Sequence, residues 1–204
     1  QTVLDPMSGV GTIPFEACLQ GRIGIGNDLS EMAYTVTKAK LERSSKEKTK
    51  KILEELNDYI NENKIYYVLD KVPYSDFGLN GKVPEYFHPE TYLEILAARD
   101  FFIKRKITTP EEAFIFSCFL HVLHGNRPYA LSRNSHPLTP YAPTGEFIYK
   151  NVVTHIKNKI ELSQKKGEWN NYKEGKAIYG DLFNLTGKIN NIDVIITSPP
   201  FYDS

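Results

Sequence analysis

Four short stretches of this 204-residue chain hold residues of the types that bind a ligand or act on one. The first is Asp5-Pro6-Met7-Ser8-Gly9-Val10-Gly11-Thr12. Gly9 and Gly11 allow positive φ and let the backbone come close to a bound molecule. No Lys-Ser/Thr pair follows, so this is not a Walker phosphate loop, and the spacing is not Gly-x-Gly-x-x-Gly. A tight strand-to-helix turn without a ligand would use the same residues. The second is Asp28, about twenty residues further on, where a carboxylate can accept both hydroxyls of a ribose or can simply cap a helix. The third is Asp181, an acceptor for an adenine amino group or a turn former behind Gly180. The fourth is Ser198-Pro199-Pro200-Phe201. Two prolines give a stiff loop with fixed carbonyl directions and few donors. A hydroxyl and a rigid carbonyl beside an aromatic ring suit a planar ligand that carries an amino group. A Pro-Pro turn in isolation is structural; its place after an apolar run, together with the Gly turn, favours chemistry.

Stepwise along the chain, the elements that would position these groups alternate. Val3-Leu4 reads as a short strand entering the Gly turn, and a helix follows, with Pro14 in its first turn and Gly21 at its stop. Ile23 to Gly26 reads as a second strand ending at Asn27-Asp28; Gly24 and Gly26 there read as packing positions. Ser30 then caps a helix that carries Ala33, Val36, Thr37 and Lys40 on successive turns. Ala177 to Tyr179 and Ile192 to Thr197 read as two further buried strands, the second a continuous apolar run of the kind found where helices cover both faces of a sheet. Strand, helix, strand, helix in this order point to a parallel α/β sheet, in which ligands bind beyond the carboxyl ends of the strands. All four stretches would then meet at one crevice.

Between the second and third sheet strands lie roughly 130 residues, far more than a crossover needs. Residues 44–63 read as a charged, solvated helix and 65–69 as a short strand. Pro89 to Arg105 reads as a helix with Leu93, Leu96, Ala97 and Phe101 on one face. Thr109-Pro110-Glu111-Glu112 signals a helix start, leading to an apolar helix through Leu123. Residues 126–145 carry four prolines and no periodicity, and residues 147–164 read as a basic helix. His121 and His124 fall at helical spacing without acidic neighbours, so a structural role outweighs metal binding.

Net charge is zero and the composition that of an ordinary globular chain, so the whole chain does not advertise nucleic-acid binding. Charge is uneven, however: Asn126 to Lys176 holds nine Lys or Arg against four Glu, a basic face or a solvated loop. Cys18 and Cys118 lie in apolar, helix-like stretches and read as buried free thiols. No apolar run reaches membrane-spanning length and no leader opens the chain, so an intracellular protein, cytoplasmic and of prokaryotic type, is expected. The chain opens on a core-like strand and closes on a site-like loop, from which a fragment or a need for further polypeptide is expected.

Asp-Pro-Met-Ser-Gly-Val-Gly-Thr and Thr197-Ser-Pro-Pro-Phe together resemble the cofactor and catalytic motifs of S-adenosylmethionine-dependent amino methyltransferases of DNA. The strong likeness covers about the first forty residues and the last twenty-five, with Leu123-His-Gly-Asn-Arg-Pro-Tyr and Ser135-His-Pro-Leu-Thr-Pro similar to an insertion in some of these enzymes. The resemblance implies a Rossmann-like methyltransferase sheet, partial here, with a large, mainly helical insertion between the second and third strands. Residues 1–43 and 176–204 would form the S-adenosylmethionine-binding catalytic core and 44–175 the insertion, a DNA-recognition or lid region. It implies that Asp5, Pro6, Met7, Ser8, Gly9, Gly11 and Thr12 line the methionine part of the cofactor, that Asp28 takes the ribose, and that Asp181 with Leu182 takes the adenine. Ser198, Pro199, Pro200 and Phe201 would be catalytic. Ser before Pro-Pro accompanies cytosine N4 methylation in the family, where Asp or Asn accompanies adenine N6. Met7 stands where many DNA amino methylases have Phe. The family sheet has seven strands, and this chain supplies four strong candidates.

The implied reaction is direct methyl transfer to an exocyclic amine of a base flipped from duplex DNA. Ser198 and the Pro199 carbonyl would accept the amine protons, and Phe201 would stack on the base. Neither cysteine sits in a Pro-Cys pair, which argues against the covalent route to cytosine C5. In the insertion, Arg127, Arg133, His136 and Lys150 could contact phosphates or base edges, and Tyr129 or Tyr141 could fill the space of a flipped base. The competing readings are an RNA guanine-N2 methyltransferase, which shares the cofactor loop but carries Asp-Pro-Pro or Asn-Pro-Pro, and a non-catalytic cofactor-binding subunit that needs a partner. A role in restriction and modification is expected with the DNA methyltransferase reading.

Overall fold

The computed structural model describes residues 1–67, 81–124, 146–165, 170–185, 187 and 189–199. They form an α/β protein with six α-helices and one four-stranded, all-parallel sheet. The strands are β1 (Thr2–Asp5), β2 (Ile23–Asp28), β3 (Lys176–Tyr179) and β4 (Val194–Ile195), in the order β3-β2-β1-β4. The chain steps outward from β1 to β2 to β3, then returns to the far side of β1 for β4. This reversal is compatible with a Rossmann-like fold and makes the β1/β4 boundary a topological switch point.

The helices are α1 (Thr12–Leu19), α2 (Glu31–Leu41), α3 (Lys46–Asn63), α4 (Pro89–Arg105), α5 (Pro110–Leu120) and α6 (Val152–Lys165). The chain divides into two compact units: 1–49 with 107–117 and 166–204, and 50–106 with 118–165.

In the first unit, α1 lies against β1 and β2, and α2 against β2 and β3. The fit needs the glycines of β2. A Cβ on Gly24 would collide with the carbonyl of Pro14, and one on Gly26 would sit 2.8 Å from Thr37 Cγ2. Their reading as packing positions therefore holds. Ser30 caps α2 as expected, its hydroxyl accepting from Ala33 N at 3.3 Å. At the other end of α2, the Tyr172 hydroxyl donates to the carbonyls of Leu41 and Lys40, and the Arg43 guanidinium stacks over its ring. Burial raises the Tyr172 phenol above its usual range. Residues 170–175 are thus tied to the end of α2 just ahead of β3, where Gly175 N also donates to Leu41 O at 3.1 Å. Cys18 is buried and free.

Neither of the last two strands is buried as expected: β3 ends the described sheet on one side, with Ala177 buried but Tyr179 55% exposed. The apolar run Ile192–Thr197 is not a buried strand: only Val194 and Ile195 are extended in the ladder, and Val194, Ile195 and Ile196 are 39%, 63% and 48% exposed. β4 is an edge strand with β1 as its sheet neighbour, and α1 and α2 cover the other three strands. Hydrophobicity revealed the strand's preference but not whether anything covers it.

The second unit is helical. Residues 52, 56 and 60 of α3 are buried, so this helix is amphipathic rather than solvated all round. Residues 64–66 form a 3₁₀ turn where a strand was expected, and residues 68 and 69 lie outside the described set. α4 has the expected bounds, with Leu96, Ala97 and Phe101 buried. α6 begins at Val152, five residues later than its composition suggests. Asn151 Oδ1 accepts from Thr154 N at 2.9 Å and Glu94 Oε2 from Val152 N at 2.8 Å, which fixes the start there. Cys118 is buried and free, and burial pushes its thiol up to about 12. No helix among the described residues is long and apolar enough to cross a membrane.

Candidate functional site

Strand order sets the site. Along the carboxyl edge of the sheet the loops follow in the sequence Asp181 after β3, Asp28 at the end of β2, Asp5 to Thr12 after β1, and Ser198 after β4. Register makes them comparable in height. Asp5 is level with Gly26, Asp28 with Tyr179, and Leu4 with Ile195. At the strand spacing of parallel sheets the four loops span about 14 Å.

The glycine loop is held from three sides. Gly9 and Gly11 have φ of +52° and +76°, the region that disfavours any side chain. A Cβ on Gly11 would also stand 2.7 Å from Thr37 Oγ1. Thr37 Oγ1 donates to Gly9 O at 3.0 Å, and Lys40 Nζ donates to Val10 O at 2.7 Å. Burial lowers the Lys40 pKa. Asp5 is buried and accepts from Met7 N at 3.2 Å. Gly9 is exposed, as is Thr12 at the first turn of α1, whereas Ser8 and Gly11 are buried.

Asp28 does not cap α2, since Ser30 does that. Its Oδ2 accepts from Gly9 N at 2.8 Å and its Oδ1 from Ser30 N at 2.9 Å. A half-exposed carboxylate is thereby tied to the glycine loop with further lone pairs left to accept ligand hydroxyls. Asp181, by contrast, takes the turn-forming role that sequence left open: its Oδ1 accepts from Phe183 N at 3.0 Å, opening the 3₁₀ turn Leu182–Asn184. Its side chain remains exposed, so an acceptor oxygen is still available. Ser198 and Pro199 are exposed just past β4, at the switch point.

Pro200 and Phe201, the rest of that motif, lie outside the described residues, as do Arg127, Tyr129, Arg133, His136 and Tyr141. Lys150 is described; its backbone exchanges two 2.9 Å hydrogen bonds with the Thr91 hydroxyl in the helical unit. Among the described residues, no group of three or more His, Cys, Asp or Glu could hold a metal ion, and His121 and His124 lie in a 3₁₀ turn.

Sequence reading missed several residues here. Leu29, next to Asp28, and Phe183, two residues after Asp181, are exposed, Phe183 to 82%. Thr37 was placed on the helix face but not on the loop it holds. Asn27 was passed over as a strand end. Its burial and side-chain bonds have no sequence signal, because a polar residue before Asp-Leu-Ser reads as a turn former.

Comparison of the chain with protein-family models, with curated proteins and with solved structures finds no match.

Proposed function

We propose that this chain is the cofactor-binding and catalytic part of an S-adenosylmethionine-dependent methyltransferase acting on an exocyclic amino group of a flipped base in double-stranded DNA, cytosine N4 in the first instance. One observation carries the reading. The order of chemical groups along the sheet edge is the order of parts in the methyl donor: an acceptor for adenine at β3, a carboxylate for ribose at β2, a glycine loop for the methionyl arm at β1, and a proton-accepting serine at β4. The exposed side chains of Leu29 and Phe183 supply apolar surface for the adenine ring.

Asp5, Pro6, Met7, Ser8, Gly9, Gly11 and Thr12 would hold the methionyl arm, Asp28 the ribose, and Asp181 with Leu182 the adenine. The donor supplies an electrophilic methyl group. Ser198 and the Pro199 carbonyl accept the protons of the target amine, whose lone pair is otherwise delocalised into the ring. Hydrogen bonds from the amine to Ser198 and the Pro199 carbonyl would orient its nitrogen lone pair toward the methyl group that bound S-adenosylmethionine would supply. Positioning and electrostatics then provide the acceleration. Phe201 would stack on the base, and Arg127, Tyr129, Arg133, His136 and Tyr141 would contact DNA.

The exposed apolar edge at Val194–Ile196 favours a second component of the reading: further polypeptide completes the sheet beyond β4. Without it, the chain would be a cofactor-binding subunit.

The test is calorimetric binding of S-adenosylhomocysteine to the 204-residue chain, followed by incubation with labelled S-adenosylmethionine and duplex DNA, with the modified nucleoside identified by mass spectrometry. N4-methylcytosine supports every step. N6-methyladenine keeps the class and overturns the base; label in RNA alone moves the assignment to guanine N2. Binding without transfer leaves the partner-dependent subunit as the account.

A further inference from the structure

Beyond the ends of a β-ladder, loops on neighbouring strands have nothing in common to hold their relative height. At this sheet edge the β1–β2 ladder ends at Asp5 with Gly26, and the β2–β3 ladder at Asp28 with Tyr179. Asn27 lies between those two limits on the central strand and is 1% exposed. Its Nδ2 donates to two carbonyls at 3.0 Å each, that of Pro6 in the loop after β1 and that of Gly180 in the loop after β3. Its own backbone carbonyl accepts from Ser8 N at 2.9 Å, and Gly180 N donates to Asp28 O at 3.0 Å. One side chain therefore ties together the two loops that flank Asp28.

We infer that Asn27 is a positioning residue that holds the methionyl-side loop and the adenine-side loop at a fixed separation, so that both ends of one extended adenosyl ligand are met together. The inference rests on the methyl-donor reading of the site. Its chemistry is specific to an amide. A planar NH₂ group has two protons, one for each loop; a hydroxyl has one, and a carboxylate has none and would face both carbonyls with negative charge. The cost is visible at the other end of the amide, where Oδ1 is buried without a hydrogen-bond partner among the described residues. A buried acceptor left unused is unfavourable, so what holds Asn at this position is its two donors.

The experiment compares wild type with Asn27→Ala, Asn27→Ser and a control, Thr35→Val. Thr35 is equally buried, but among the described residues its hydroxyl bonds only the Glu31 carbonyl of its own helix. Amide hydrogen exchange is followed in the ligand-free chain over peptides 6–11 and 180–184, and S-adenosylhomocysteine and adenosine affinities are measured by calorimetry. Expected for Asn27→Ala is about tenfold faster exchange in both loops and about tenfold weaker binding of S-adenosylhomocysteine, the equivalent of losing buried hydrogen bonds. Adenosine, which needs only the β2 and β3 side, should lose less than threefold, roughly the threshold of a detectable change in affinity. Asn27→Ser, keeping one donor, should fall between and decides the matter if the alanine variant does not fold. Thr35→Val should leave both loops and both affinities unchanged. Equal loosening by Thr35→Val, or unchanged S-adenosylhomocysteine affinity in the Asn27 variants while wild type binds, overturns the positioning role. No binding by wild type overturns the methyl-donor reading and the ligand role of Asn27 with it.

Discussion

Two buried polar centres, one in each unit, use their hydrogen-bonding capacity differently. In the helical unit Glu94, also 1% exposed, is saturated. Its carboxylate accepts from Lys64 Nζ at 3.3 Å, Tyr149 Oη at 2.8 Å, Val152 N at 2.8 Å and Asn151 Nδ2. Every donor comes from its own unit, and together they pin the segment before α6 to α4. At the sheet edge the opposite holds. Asn27 Oδ1 and Ser8 Oγ are buried without partners among the described residues, and the Asp28 carboxylate is half exposed with one donor on each oxygen. A saturated network rigidifies, whereas buried groups left unpaired cost stability; at the sheet edge the oxygens within a ligand's reach are those of Asp28. The first is scaffold; the second is the edge proposed above as the site.

The sharpest way to break this comparison is Glu94→Leu. Removing the carboxylate leaves the buried first amide of α6 without its acceptor, while Lys64, 26% exposed, can turn to solvent; the cost by chemical denaturation should be about 1–3 kcal/mol, the range for an unsatisfied buried group. If Glu94 is scaffold alone, molecules that remain folded should bind S-adenosylhomocysteine with wild-type affinity. A weakened affinity would give Glu94 a part in the site.

Asp28→Asn should do the reverse. Binding of S-adenosylhomocysteine should weaken about 10- to 100-fold, the value of hydrogen bonds to a charged acceptor, while the folded state is little affected. Calorimetry beside a thermal melt separates the two, and unchanged affinity would remove the ribose role. Thr109→Ala tests the capping box on α5, in which Thr109 Oγ1 accepts from Glu112 N and Glu112 Oε2 accepts from Thr108 N and Thr109 N. It should cost about 1 kcal/mol of stability and leave binding alone.

The smallest effect at neutral pH belongs to Cys118. Burial raises its folded thiol to about 12, whereas an unfolded thiol ionises near roughly 8.5. Between these values the unfolded chain has released a proton that the folded chain retains. The contribution to stability is therefore full below about 8.5 and is lost as pH rises toward about 12. Cys118→Ala should flatten the alkaline slope of stability, and the native thiol should resist alkylation at pH 8. Rapid labelling of folded protein would contradict the burial.

Much of the scaffold was legible because local rules coincide with the tertiary result. Ser30, Pro89 and the Thr109–Glu112 box mark helix starts by bonds that are complete within a few residues. The glycine loop was legible because positive φ at Gly9 and Gly11 excludes nearly every other residue. Where a partner distant in sequence supplies the deciding bond, legibility ends. The late start of α6 depends on Glu94, which lies 58 residues away from Val152, and nothing local to residues 147–151 announces it. Ile192–Thr197 was misread as buried for the same reason: an apolar run states a preference for cover, and the cover has to come from elsewhere.

By itself, then, the sequence determined which residues could do chemistry and which short elements carry them, since turn geometry, capping and donor or acceptor type are properties of residues and near neighbours. Only the tertiary structure decided that β1 stands between β2 and β4, which sets Asp181, Asp28, the glycine loop and Ser198 in that order along one edge. It alone decided that Asn27 bonds both Pro6 and Gly180, the latter 153 positions away in sequence. The physical reason is common to both: strand order and side-chain bridges are chosen by packing and by the need to satisfy buried polar groups, and neither is fixed by any one segment of chain.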